Sequence, residues 1–241
     1  MLLIIFSRSV VWFFTSFFVV SSVYAVSESE SDQEREKTNF EFGLGYGLLD
    51  EKSLVNIDFK INMPINDYLL TQVLLNSNYL ITGSESDSVA QSELSSNWFI
   101  HNEYGRLGLG VGLNELEPME ESLDTEREVL GQFIGELFLG DFAFTTNYIS
   151  NKVTFSNLTS SRVGMSYYVD KDQRISVYRE KYSENKIGWR LETYFQPIKY
   201  RQIGSVGIIV RTGDEYDYIG VSLQYYFDNA VSLKERERLY H

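Results

Sequence analysis

The chain has no cysteine in 241 residues, which excludes a disulfide framework and any thiolate metal site. Only 2 histidines and 3 prolines are present. One histidine is the terminal His241, leaving His101 as the one candidate for imidazole chemistry inside the chain. Positive charge is also scarce: 21 Lys and Arg stand against 34 Asp and Glu, a formal charge of -13. Such an acidic balance argues against nucleic acid or another polyanion as a non-specific partner. After residue 25 no apolar run is long enough for a spanning helix, which needs about 20 residues.

The first 25 residues are the exception. Met1–Ala25 carries one charge, Arg8, then the apolar stretch Val10–Val20 and the small-residue approach Ser21-Ser22-Val23-Tyr24-Ala25, the pattern of a cleaved secretory signal. An uncleaved anchor is the rival reading. No cysteine follows the apolar run, so a lipid-anchored lipoprotein is excluded. Loss of this segment removes Arg8 and moves the formal charge from -13 to -14. Val26–Thr38, rich in Ser and Glu, has no apolar period and reads as a disordered acidic lead.

From Asn39 to Phe227 apolar and polar residues alternate with period two, the signature of strands with two unlike faces. Phe40, Phe42, Leu44 and Tyr46 alternate with Glu41, Gly43, Gly45 and Gly47. Val55, Ile57, Phe59 and Ile61 alternate with Asn56, Asp58, Lys60 and Asn62. The same holds for Leu107–Leu113 and Ile187–Phe195, whereas Asp67–Leu80 is less tidy, with Leu70 and Leu74 on the polar side. Glu128–Leu139 groups Gln132 and Glu136 with Leu130, Ile134 and Phe138, so either face is open. About twelve strands are predicted, with ten or fourteen open, since one hairpin changes the number by two.

The last segment, Tyr218–Phe227, resembles the final-strand signature of Gram-negative outer-membrane β-barrels, carried here by Tyr218, Gly220, Leu223, Tyr225 and the closing Phe227. The resemblance implies an all-β fold: a single transmembrane antiparallel up-and-down barrel, delivered to the bacterial outer membrane and inserted by the barrel-assembly machinery. Outer-membrane lipid and lipopolysaccharide are then its surroundings. Connection lengths agree. Short segments such as Leu139-Gly140-Asp141 and Asp170–Gln173 suit periplasmic turns, and Thr82–Ser92 and Glu115–Glu128 are expected to be the two longest external loops. The 17 Tyr and 16 Phe suit interfacial aromatic girdles.

Function would sit on the polar face. The alternation turns Glu41, Asp58, Lys60, His101, Glu103, Arg106, Glu136, Arg162, Asp170, Arg174, Glu180, Arg190, Glu192 and Arg211 inward. They either line a narrow passive pore for small solutes or form an ion-pair network that fills a structural barrel. An enzyme acting on lipid or peptide is the alternative, but no serine stands two residues after His101, so the His-x-Ser arrangement of outer-membrane phospholipases is missing. An accessory barrel for surface-polymer export or secretion is a third reading. The acidic stretch Glu115–Glu128 lacks the spaced pattern and central Gly of a Ca²⁺ loop, and no cofactor or metal is expected. Asp228–His241 extends past the terminal aromatic. It holds enough apolar residues for about two helical turns, marginal alone, so a frayed end is expected over a plug of the lower mouth.

Overall fold

The computed structural model describes residues 38–82, 88–119, 124–150, 160–183, 186–201, 203–214, 216–227 and 231–240. The expected signal segment, Met1–Ala25, and nearly all of the expected acidic lead lie outside the described residues. Twelve strands alternate up and down: β1 Asn39–Leu49, β2 Lys52–Asn66, β3 Leu69–Ile81, β4 Val89–Asn102, β5 Gly105–Pro118, β6 Glu126–Leu139, β7 Phe142–Ser150, β8 Ser161–Asp170, β9 Gln173–Ser183, β10 Lys186–Phe195, β11 Gly204–Gly213 and β12 Asp217–Tyr226. Each pairs with its sequence neighbour, and β1 pairs antiparallel with β12, so the sheet closes on itself. Closure leaves no strand edge, the condition a sheet must meet to satisfy its backbone in lipid.

The period-two alternation sorts the two faces inside out. Leu107, Leu109, Val111 and Leu113 of β5 are exposed, Leu109 at 66%, while Asn62, Gln91, Asn97 and Glu180 are buried inside. A continuous apolar exterior of this extent suits lipid and not water. The ambiguous strands resolve. Leu70 and Leu74 of β3 do face the interior, and β6 turns Leu130, Gln132, Ile134, Glu136 and Phe138 inward.

One end of the barrel is built from two-residue turns held by a repeated device. Asn66 Oδ1 accepts from the N–H groups of Tyr68 and Leu69, Asn102 Oδ1 from those of Tyr104 and Gly105, and Asp170 Oδ1 from that of Asp172. These short side chains mimic a backbone turn and so fix where each hairpin reverses. Gly140 does the same with φ at 59°. The β10–β11 connection is longer and holds a 3-10 turn, Ile198–Tyr200.

At the opposite end, the two predicted long loops are shorter than expected. Val89–Ser92 belongs to β4, while β5 runs to Pro118 and β6 starts at Glu126. The ladder continues there because Glu115 faces Arg127 in register and binds it at 2.7 Å. Between β7 and β8, residues 151–159 lie outside the described residues. The tail also departs from expectation: Leu233–Tyr240 is a helix, α1, packed on the barrel's two-residue-turn end.

Aromatic rings lie on glycines inside the wall. At Gly207 an added Cβ would come within 2.5 Å of the Tyr194 ring, whose face carries the Arg174 guanidinium 4.7 Å away. Gly207→Ala therefore has to push Tyr194 off the wall. Overpacking of this kind costs about 1–3 kcal/mol, and the expected outcome is a lower temperature for loss of the compact band in a heat-modifiability gel.

Candidate functional site

The strands enclose a cavity of about 380 Å³. Ten of the fourteen residues expected to face the lumen do border it: Glu41, Asp58, Lys60, Arg106, Glu136, Arg162, Arg174, Arg190, Glu192 and Arg211. Glu180 stands just behind, fully buried among the arginines. Two residues at the rim differ. His101, in register with Arg106 at the end of β4, does not border the cavity, and Glu103 lies in the exposed β4–β5 turn. Glu103 is thus a correction: alternation stops where the chain reverses, one residue after β4 ends. Asp170 is likewise exposed, occupied with its turn.

The wall from β8 to β11 is an arginine–glutamate lattice. Glu180 accepts from Arg211 Nε at 2.8 Å, from the Tyr216 hydroxyl at 3.1 Å and from the Ser160 hydroxyl at 2.9 Å, with Arg190 Nη1 3.8 Å away. Arg190 also donates to Glu192, which accepts from Arg174 Nη2 at 3.0 Å. Tyrosine faces back the guanidinium groups: Tyr178 under Arg162 at 5.1 Å and Tyr216 under Arg211 at 5.1 Å. Charge, hydrogen bonds and ring faces together offset the desolvation that an isolated charge would suffer here.

The wall from β1 to β6 is chiefly amide. Asn62 donates to Asn39 at 3.3 Å, Gln72 to Asn62 at 2.8 Å and Asn97 to Gln72 at 3.4 Å, a belt crossing four strands. Higher up, Asn56 donates to Asn78 at 2.9 Å and Asn76 to Asp58, while Gln132 donates to Glu93 at 2.6 Å. Two ion pairs complete this side, Lys60 with Glu41 at 3.2 Å and Arg106 with Glu136 at 3.0 Å. Sequence reasoning that sought charges passed over these amides and Glu93, although Asn62, Gln72, Asn97 and Gln132 occupy the same alternating positions.

Both ends of the cavity are narrowed. Toward the loop end, Leu49, Leu54, Leu80, Tyr182, Tyr216 and Tyr218 form an apolar cluster, with Tyr182 and Tyr216 edge to face at 4.6 Å. Toward the turn end lies α1, across the part of the mouth between β6 and β12. Its first turn is fixed by a capping box: Glu235 N–H donates to Ser232 Oγ at 3.3 Å, and the Ser232 N–H and hydroxyl donate back to Glu235 Oε2. Ser232-Leu233-Lys234-Glu235 was the sequence signal for this helix, since S-x-x-E marks a helix start.

α1 is tied to three hairpin ends and to the end of β12. Lys234 Nζ donates to Asp141 at 2.6 Å, and its N–H donates to the Lys171 carbonyl. Arg236, fully buried, donates to Gln196 Oε1 at 3.0 Å and to the Arg201 carbonyl, with its guanidinium 3.7 Å over the Tyr226 ring of β12. Glu237 reaches farthest in, accepting from the Tyr168 hydroxyl at 2.6 Å and from Arg174, and it forms part of the cavity wall. Packing supplies what eight residues of isolated helix could not.

Two carboxylates outside the strands respond to acid. Bonds from Ser232 hold Glu235 below its usual range, and the bond from Lys234 does the same to Asp141. Depressed values mean that their stabilisation is present at neutral pH and is lost as pH falls through those values, below about pH 4. Docking of α1 is expected to loosen as pH falls below the ordinary carboxylate range of about 4. Hydrogen exchange of the α1 amides would record it, and Ser232→Ala should weaken docking already at pH 7 and flatten the acid response.

His101 is the one internal imidazole. Its Nε2 is buried without a hydrogen-bond partner among the described residues, so neither a nucleophile nor an orienting carboxylate engages that nitrogen. Among the described residues no group of three or more His, Asp or Glu is placed to hold a metal ion.

No protein-family model matches the chain, and no curated protein matches it. Solved structures do. A KdgM porin is similar with a TM-score of 0.55 at 11% identity, covering 78% of this chain and 99% of the porin. Outer membrane phospholipase A from Escherichia coli is similar with a TM-score of 0.55 at 10% identity, covering 79% and 96%. KdgM in complex with disordered oligogalacturonate gives 0.54 at 12% identity, covering 78% and 99%. The class follows: the fold is that of the Gram-negative outer-membrane β-barrels, and the apolar exterior fits that membrane.

Proposed function

We propose that this barrel is a narrow outer-membrane pore for small polar solutes whose periplasmic mouth is held shut by its own C-terminal helix. A porin and a phospholipase share the fold, so the fold alone does not choose between passage and hydrolysis. The lumen favours passage. A single observation carries the reading: Glu237 of α1 is part of the wall of the polar cavity, so the way through is lined for water and ends on a removable segment. Between the apolar cluster at the loop end and α1, the Arg and amide walls supply donors and acceptors for a hydrated solute.

Planar bilayers test it. The intact chain should show small, infrequent conductance steps at pH 7, and variants that release α1 should conduct steadily. A correctly folded barrel that stays silent after α1 is released would make the lattice a filling for a structural barrel instead.

A further inference from the structure

We propose that Arg179 and Lys181, on the outer face of β9, form a binding site for the phosphorylated headgroup of an outer-leaflet lipid. The proposal rests on the reading of the chain as a membrane-spanning barrel. β9 turns Ser176, Tyr178, Glu180 and Tyr182 inward and Ile175 and Val177 outward. Arg179 and Lys181 continue that outward row and are exposed. Across the ladder, Arg179 stands between Val163 of β8 and Trp189 of β10, and Lys181 between Ser161 and Ile187. None of these neighbours is a carboxylate. Neither cation has a hydrogen-bond or ion-pair partner among the described residues, whereas Arg127, also on the outside, has Glu115 at 2.7 Å.

Position supplies the chemistry. Both residues lie in the half of β9 nearer Ser183, the end that meets the external connections. At a rise of roughly 3.3 Å per residue, Lys181 is about 7 Å and Arg179 about 13 Å along the strand from that end. Trp189, 55% exposed, sits beside Arg179, as expected of an interfacial aromatic. A cation on the lipid face costs up to about 2–4 kcal/mol at the midplane and little near the interface. Long stems let both heads rise toward the headgroups while Val163 and Val177 below them meet acyl chains. Two cations spaced by two residues above an apolar row match a phosphate above acyl chains, and guanidinium with phosphate forms paired hydrogen bonds. A chain of net charge -13 repels anionic lipid elsewhere, so an uncompensated cation pair stands out as the place that attracts it.

Native mass spectrometry and thermal unfolding of the full chain in neutral detergent would test the site, with bisphosphorylated lipid A, enzymatically dephosphorylated lipid A and inorganic phosphate as probes. Expected is a one-lipid adduct and a raised unfolding temperature with bisphosphorylated lipid A alone. Arg179→Gln with Lys181→Gln should weaken that binding at least tenfold, and Arg127→Gln should leave it intact. Equal binding by the double variant, equal binding of the dephosphorylated lipid, or an equal shift with inorganic phosphate would each overturn the proposal. Insertion into neutral phosphatidylcholine vesicles, followed by heat-modifiability, checks the membrane reading separately. A barrel that inserts but does not distinguish the lipids defeats the site alone.

Discussion

Arg236→Ala is expected to turn a nearly silent barrel into a steadily conducting one, the largest functional change of any single substitution considered for this chain. The guanidinium is fully buried, lies 3.7 Å over Tyr226 and donates to Gln196 and to the Arg201 carbonyl. A desolvated cation–π contact is worth about 2 kcal/mol, and hydrogen bonds from a charged donor about 1.5–3 kcal/mol. A loss of about 4 kcal/mol corresponds to nearly a thousandfold change in an equilibrium constant. The docked state of α1 would no longer dominate. Single-channel recording reads the outcome directly. Arg236→Lys should be intermediate, because it keeps the charge and loses the planar fork. Unchanged opening in Arg236→Ala would show that α1 does not obstruct the path.

Glu180→Gln is expected to produce the largest loss of stability. Its carboxylate, with 0% exposure, accepts from Arg211, Tyr216 and Ser160 beside the Arg190 guanidinium. The amide keeps the shape but removes the charge that holds Arg211 and Arg190 in a confined space. Breaking a buried pair by removing one partner costs about 3–5 kcal/mol. Urea unfolding in lipid vesicles, monitored by tryptophan fluorescence, should show a clearly lower midpoint. Replacing Glu180 and Arg211 together by Leu and Met should recover much of it, since no lone charge of that pair then stays behind. If the single variant matched the wild type, the lattice would be ornament and the backbone ladder would carry the wall.

The barrel itself was legible because most strands between Glu41 and Glu192 obey a local rule, polar in and apolar out with period two, and the exceptions, such as Leu70, Leu74, Leu130 and Phe138 inside, are too few to hide it. Strand count and closure followed from hairpin signals that act over a few residues. Turns are where that rule ends, and Glu103 and Asp170 were misplaced there for that reason. The lattice was half legible. Arg211 and Glu180 could be assigned to the same face, but their meeting across two strands depends on register, which a sequence does not print. Tyrosines were misread in part. The tyrosine count was read as suiting membrane girdles, yet Tyr178, Tyr194, Tyr216 and Tyr226 are buried within the wall, where their rings rest under guanidinium groups. The tail was missed because its helix is too short to stand alone, and only the far ends of β6 to β12 give it a surface.

That dependence gives α1 a place in time as well as in space. Its contacts come from the β6–β7 turn at Asp141, the β8–β9 turn at Lys171, the β10–β11 connection at Arg201, and Tyr226 of the seam strand. The full set does not exist as one surface until the second half of the sheet has formed and β12 has found its register. The last residues of the chain thus act as a latch that engages only a finished barrel, leaving any incompletely closed intermediate with an unstructured end.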